Sequence, residues 1–184
     1  MTSLIGLLHE RKATRAISTN PLSDEVIEKL MEAAQLSASC FNKQPWRFLF
    51  LTEKEPLERG RQALARGNNW ALKAPLLIIG FSMSDLDCKL PDGREYYLFD
   101  LGMATQNIML QATELNLVAR PMAGFDPEII KRGFGISDEF EVYIMIAVGE
   151  EGDLSELDEK LQERSQEPRV RNPLRDNFYL SEIS

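Results

Sequence analysis

The run Pro75-Leu76-Leu77-Ile78-Ile79-Gly80-Phe81 is apolar without alternation. A strand with one face in water alternates polar and apolar side chains, so an unbroken apolar run is expected where both faces are covered. The chain must therefore supply a layer on each side of this strand. Residues 46–51 and 140–149 read as two further strands. Helical spacing lies around them. Behind Ser23, a candidate N-cap followed by Asp24 and Glu25 at the positive end of the helix dipole, Val26, Ile27, Leu30, Met31 and Ala34 fall on one face. Over residues 96–116, Leu98, Leu101, Thr105, Ile108, Ala112 and Leu115 recur at steps of three and four, which predicts the central helix, ended by Arg120-Pro121. Shorter helices are expected from Thr2 or Ser3 to near Arg11, over 56–66 and over 127–132.

A chain of 184 residues buries one sizeable core, so residues 1–184 are expected to form a single domain. The alternation of elements makes it α/β or α+β. The tail 165–184 lacks periodicity yet holds Leu174, Phe178, Tyr179 and Leu180, as expected of a segment that packs on a partner subunit. No run approaches the roughly 20 apolar residues of a membrane span, and the first residues lack the basic lead of a secretory signal. Cys40 and Cys88 form no metal-binding or CxxC spacing and fit a reducing compartment, so the cytoplasm is the expected location.

Several chemistries are absent from the sequence. The single histidine, His9, has no nucleophile nearby in sequence, and no HExxH, GxGxxG or GxxxxGK[ST] occurs. A net charge of −8 argues against nucleic acid as a partner. Against that acidic background two basic clusters stand out, Arg11-Lys12-Ala13-Thr14-Arg15 and Arg169-Val170-Arg171 with Arg175. They are either solvated surface or the two halves of a site for one anion. Between them in sequence lies Ser37-Ala38-Ser39-Cys40-Phe41-Asn42-Lys43-Gln44-Pro45-Trp46, a loop of short polar side chains running into a strand. Such a loop suits the edge of a planar heteroaromatic ring; alone, it reads as a turn with Trp46 in the core.

This loop resembles the Pro-Ser-x-x-Asn-x-Gln-Pro-Trp motif of the nitroreductase family, and the likeness continues along the chain. Residues 11–15 are similar to the family's Arg-[Arg/Lys/His]-[Ser/Thr]-x-[Arg/Lys] signature. Asp100-Leu101-Gly102 with Ala104, Gln106 and Asn107 is similar to the start of its long helix, Pro121-Met122-Ala123-Gly124-Phe125-Asp126 to its Pro-x-x-Gly-Phe-Asp loop, and Arg169 to Leu174 to its basic C-terminal segment. These five motifs, in the family's order, span about residues 5–180.

The resemblance implies an α+β fold, a central mixed sheet flanked by helices, in an intertwined homodimer with FMN at the interface. It implies two-electron transfer from NADH or NADPH through FMN to a small electron-poor acceptor such as a nitroaromatic or a quinone, with no catalytic side chain, no metal, no nucleic acid and no membrane. Arg11 and Arg171 would hold the phosphate, with Arg169 assisting and Lys12 and Ala13 in the same cradle. Arginine's planar fork matches phosphate oxygens two at a time. Arg15 would lie beside flavin N1 and O2, Asn42 at the pyrimidine edge and the Gly124 amide near N5, next to Ala123. Ala38 and Ser39 would come from the other subunit to cover the ring, and Lys73 matches a lysine that some members aim at the pyrimidine. Cys40 is loop filler in this reading. The same scaffold also supports dehalogenation, flavin fragmentation, azoline oxidation, or flavin binding without turnover. Three positions depart from the pattern: Ala13 replaces Ser or Thr, Ala38 replaces proline, and Ala123 stands where some members have Glu. A hydrogen bond lost to a charged group costs about 1.5–3 kcal/mol, which Thr14 or Ser18 would have to offset.

Overall fold

The computed structural model describes residues 3–182. Thr2, one of the two candidate caps, lies outside the described residues, as do the last two of the tail. Ser3 caps the first helix, α1 (Leu4–Glu10), its hydroxyl accepting from the Gly6 amide. In chain order there follow α2 (Asp24–Gln35), β1 (Arg47–Leu51), α3 (Lys54–Arg61), β2 (Leu76–Ser82), α4 (Tyr96–Glu114), β3 (Leu117–Met122), α5 (Pro127–Phe134), β4 (Glu141–Glu150) and α6 (Glu159–Gln166). Ser23 caps α2 as expected, and Asp126 caps α5 through the amides of Glu128 and Ile129.

The four strands form one sheet in the order β1-β2-β4-β3. The expected coverage of both faces is realised in β2 and β4, and it divides their side chains by parity. Leu76, Ile78, Ile146 and Val148 pack with α2 and α4 around Leu30, Leu101, Ile108 and Ala112. Leu77, Ile79, Met145 and Ala147 pack on the opposite side with Leu57, Trp70 and Ile130. All eight strand residues are fully inaccessible, and burying a side chain of this size stabilises by roughly 1.5–3 kcal/mol. Trp46 is core, as its flanks suggested.

Two expectations about the sheet change. A mixed sheet was implied; among the described residues every pairing is antiparallel, because β1 with β2 and β3 with β4 return beside each other and β2 with β4 also run opposed. Arg120-Pro121 does not end α4, which stops at Glu114 ahead of Asn116 with its left-handed φ of 58°; the segment is itself a strand. Proline lacks the amide a central strand needs, yet β3 is the sheet edge and tolerates Pro121 opposite Ile146. The tail beyond α6 is largely exposed, with Val170, Leu174, Phe178 and Leu180 at 76, 75, 69 and 95%.

The cysteines are a further correction. Cys40 and Cys88 are joined in a disulfide with their Cα atoms 5.9 Å apart, rather than standing as two separate thiols. The spacing of 48 residues carries no sequence signal for pairing. The bond ties the loop before β1 to the segment before α4. On the same loop the Cys40 amide donates to the Asp100 carboxylate at 3.1 Å, and that buried carboxyl is raised above its usual range by desolvation. A cross-link closing a loop of this length stabilises by about 4 kcal/mol in the chain-entropy description. Cys88→Ser is therefore expected to lower the unfolding free energy by roughly 2–4 kcal/mol in urea titrations, and reduction with dithiothreitol should lower the wild type to the same level.

Candidate functional site

The site begins where α1 stops. Helix ends leave carbonyls without partners, and those of α1 are met from the far end of the chain. The Arg169 guanidinium donates to the carbonyls of Leu8 (3.1 Å), His9 (2.8 Å) and Arg11 (2.9 Å). The chain then runs extended onto the end of β4: Ser18 N–H donates to Glu150 O at 2.9 Å and Gly152 N–H to Ala16 O at 3.0 Å. Gly152 is required by this close approach, since a Cβ there would stand 2.8 Å from the Ile17 carbonyl carbon and 2.9 Å from the Ser18 nitrogen. In this way the two basic clusters, more than 150 residues apart, share one surface.

They frame two adjoining cavities. One, of about 630 Å³, has an apolar side made by Ile5, Leu8, Met109 and Pro121. The other, of about 600 Å³, is lined by Lys12, Thr14, Arg15 and Arg164 among others. Arg11, Ala13, Arg120, Arg169 and Arg171 line both. Among the described residues none of Arg11, Arg15, Arg120, Arg169 and Arg171 has a carboxylate within 4.0 Å. On a chain of net charge −8, five arginines without an acidic partner at one place make a candidate anion site. Burial, then repulsion from Arg169 and Arg171, holds Arg11 below the usual arginine range. Burial, followed by Arg15 and Arg11, pushes Arg120 down to about 10, so Arg120 remains cationic at neutral pH.

The loop after β3 follows Arg120 and Pro121 out of the cavity wall, and Ala123 and Gly124 themselves line neither cavity. The Gly124 carbonyl accepts from the Asn68 side chain at 2.8 Å and from the Ala65 amide at 3.0 Å, while its own N–H meets no protein acceptor among the described residues. Asn68 also accepts from the Trp70 indole at 3.3 Å. The half-buried Arg120 guanidinium stacks on the Trp70 ring, 5.3 Å from its centroid, and donates to the Ala13 carbonyl.

Of the residues singled out in the sequence, Arg11, Lys12, Ala13, Arg15, Arg169 and Arg171 thus come together, with Ala123 and Gly124 on the neighbouring loop. Thr14 lines the cavity, its hydroxyl accepting from Ala16 N–H at 3.4 Å. Ala38, Ser39 and Asn42 line neither basic cavity within one chain. Their loop is locked locally: Ser39 Oγ accepts from Gln44 N–H, and Gln44 Nε2 donates to Asn42 Oδ1. Phe41, Asn42 and Gln44 all take left-handed φ values of 49, 56 and 49°, costly for Phe and Gln and natural for Asn. Lys73 is paired with Glu156 at 2.6 Å on the rim of a third cavity shared with Arg15 and Trp70. Arg120, Arg164 and Trp70 were missed. A lone arginine before a proline carries no signal until the strand that displays it is known.

The chain is similar to known proteins over most of its length. The model of the Nitroreductase family matches residues 8–69 and 59–150. A relative from Archaeoglobus fulgidus, provisionally named an NADH dehydrogenase/NAD(P)H nitroreductase, is 25% identical over 171 residues, covering 87% of this chain and 94% of its own. A solved oxidoreductase described as containing FMN is 30% identical with a TM-score of 0.86, over 97% of this chain and 91% of the other. A nitroreductase family protein from Clostridium difficile 630 is 26% identical with a TM-score of 0.82, over 98% and 99% of the two chains.

Gly152→Ala is expected to lift residues 16–18 off β4 and cost roughly 1–3 kcal/mol. Faster hydrogen exchange at the Ser18 amide, with β2 amides protected as before, is the expected signature.

Proposed function

Since the chain belongs to the nitroreductase family, we propose that it is an FMN-dependent oxidoreductase carrying two electrons from NADH or NADPH to a small electron-poor acceptor, a nitroaromatic or a quinone. The observation that carries this reading is the set of arginines without acidic partners around cavities of about 600 Å³. Such a set fits a phosphate-bearing ligand, and the 30%-identical relative is described as containing FMN. FMN supplies the redox chemistry when bound; the chain supplies binding, orientation and charge.

Arg11 and Arg171 are the phosphate ligands in this reading. Arg169, which lines both cavities, assists there and also caps α1 through the carbonyls of Leu8, His9 and Arg11, which fixes Arg11 beside Arg171. The Gly124 amide, without a protein acceptor, is the donor toward flavin N5, and Asn68 holds it in place. Arg15 faces the N1 and O2 side. Thr14 takes the place of the hydroxyl missing at Ala13.

The working unit we propose is a homodimer. Ala38, Ser39 and Asn42 stand away from the basic cavities of their own chain, so they contribute to a flavin site only from a second copy. The exposed apolar side chains of the tail, Val170, Leu174, Phe178 and Leu180, supply surface for that association. No helix among the described residues is long and apolar enough to cross a membrane, and the cytoplasmic location we propose rests on the nicotinamide donor alone, since the Cys40–Cys88 bond removes the argument from free thiols.

Purified protein should be yellow, show flavin absorption, and bleach anaerobically on addition of NADH or NADPH. A colourless preparation that takes up no added FMN contradicts the reading. Arg171→Ala should weaken FMN binding by roughly 10- to 150-fold, the loss of charge-assisted hydrogen bonds worth about 1.5–3 kcal/mol, as followed by flavin fluorescence quenching.

A further inference from the structure

Arg120 sits in the middle of the basic track and has no part in the scheme above. Three observations fix its place. It lines both cavities with Arg11, Ala13 and Arg171, so it stands at their junction. Its guanidinium is held from two sides, by the Trp70 ring at 5.3 Å and by the Ala13 carbonyl. Trp70 in turn reaches the Gly124 loop through Asn68, by contacts of 3.3 and 2.8 Å. No carboxylate neutralises it among the described residues.

A half-buried cation with no counter-ion is unfavourable unless a ligand brings negative charge. Arg120 and Arg15 both line the second cavity, and Trp70, on which Arg120 stacks, shares a third cavity with Arg15. Arg120 thus stands between the Arg11 and Arg171 pair and the Arg15 side, where Trp70 and Asn68 link it to the loop of Gly124.

Resting on the FMN reading, we propose that Arg120 is a second cation beside Arg15 at the N1 and O2 side of the flavin, and that it favours the reduced cofactor over the oxidised one. Two-electron reduction with one proton delivered to N5 leaves a negative charge at N1. A fixed guanidinium there binds that form more tightly, because a positive charge in a partly dry site interacts more strongly than it would in water. The planar group is pre-positioned by Trp70 and Ala13, so little is lost in ordering it. The Ala13 carbonyl, beside the missing hydroxyl, is one of the anchors that aim it.

The test compares the wild type, Arg120→Gln and Arg120→Lys as FMN-loaded proteins. It reads the reduction potential of bound flavin by dye equilibration, and the dissociation constants of FMN and riboflavin by fluorescence quenching. Arg120→Gln should move the potential to a more negative value. A tenfold loss of preference for reduced flavin corresponds to about 30 mV for a two-electron couple. Its ratio of FMN to riboflavin affinity should stay at the wild-type value, and Arg120→Lys should recover much of the potential. An unchanged potential in Arg120→Gln overturns the inference while leaving the FMN reading intact. A selective loss of FMN against riboflavin overturns it in favour of a phosphate contact. Wild-type protein that binds neither flavin overturns the reading and this inference together.

Discussion

Strands β2 and β4 are buried on both faces along most of their length, and the remaining architecture answers that requirement. An antiparallel pair of this kind has to be roofed twice. Helices α2 and α4 provide one roof, and α3, α5 and the segment around Trp70 provide the other. Parity along each strand assigns alternate residues to the two layers, so neither roof can be lost without exposing half of the core. The edges and ends of the sheet are then the places left for function. The end of β4 receives the N-terminal segment through Ser18 and Gly152, and the edge strand β3 displays Arg120 and leads into Gly124.

Charge is arranged against the grain of the molecule. A chain with 29 acidic and 21 basic side chains collects five arginines without acidic partners at one place, where each raises the cost of the next. The surplus is held by contacts that do not cancel it. Backbone carbonyls of α1 hold Arg169, and an aromatic ring and a carbonyl hold Arg120. Carboxylates would have been the easier partners for stability, and although Glu151 and Glu167 line the second cavity, none pairs with these arginines within 4.0 Å among the described residues.

Much of this was legible in the sequence. The two-sided burial followed from the unbroken run at 75–81, the caps Ser3 and Ser23 from their side chains, and the central helix from its three-four spacing. The union of residues 11–15 with 169–171 followed from the family resemblance rather than from any local pattern. What stayed hidden has a common physical origin in long-range pairing. The strand Leu117–Met122 was obscured by Pro121, which is acceptable only at a sheet edge, and edge position is a property of the assembled sheet. The Cys40–Cys88 bond depends on two loops meeting across 48 residues. Arg120 became a candidate only once β3 was seen to point it at Trp70. The capping of α1 by Arg169 was equally hidden, because sequence records its charge and not the helix end that its guanidinium meets.

The most direct test is a crystal structure of the protein grown with FMN. The expected result is a homodimer in which the phosphate lies within hydrogen-bond distance of Arg11 and Arg171, and the ring lies between Arg15 and Gly124 of one copy and the 38–42 loop of the other. A monomer, or FMN bound with its phosphate away from the arginine track, would contradict it.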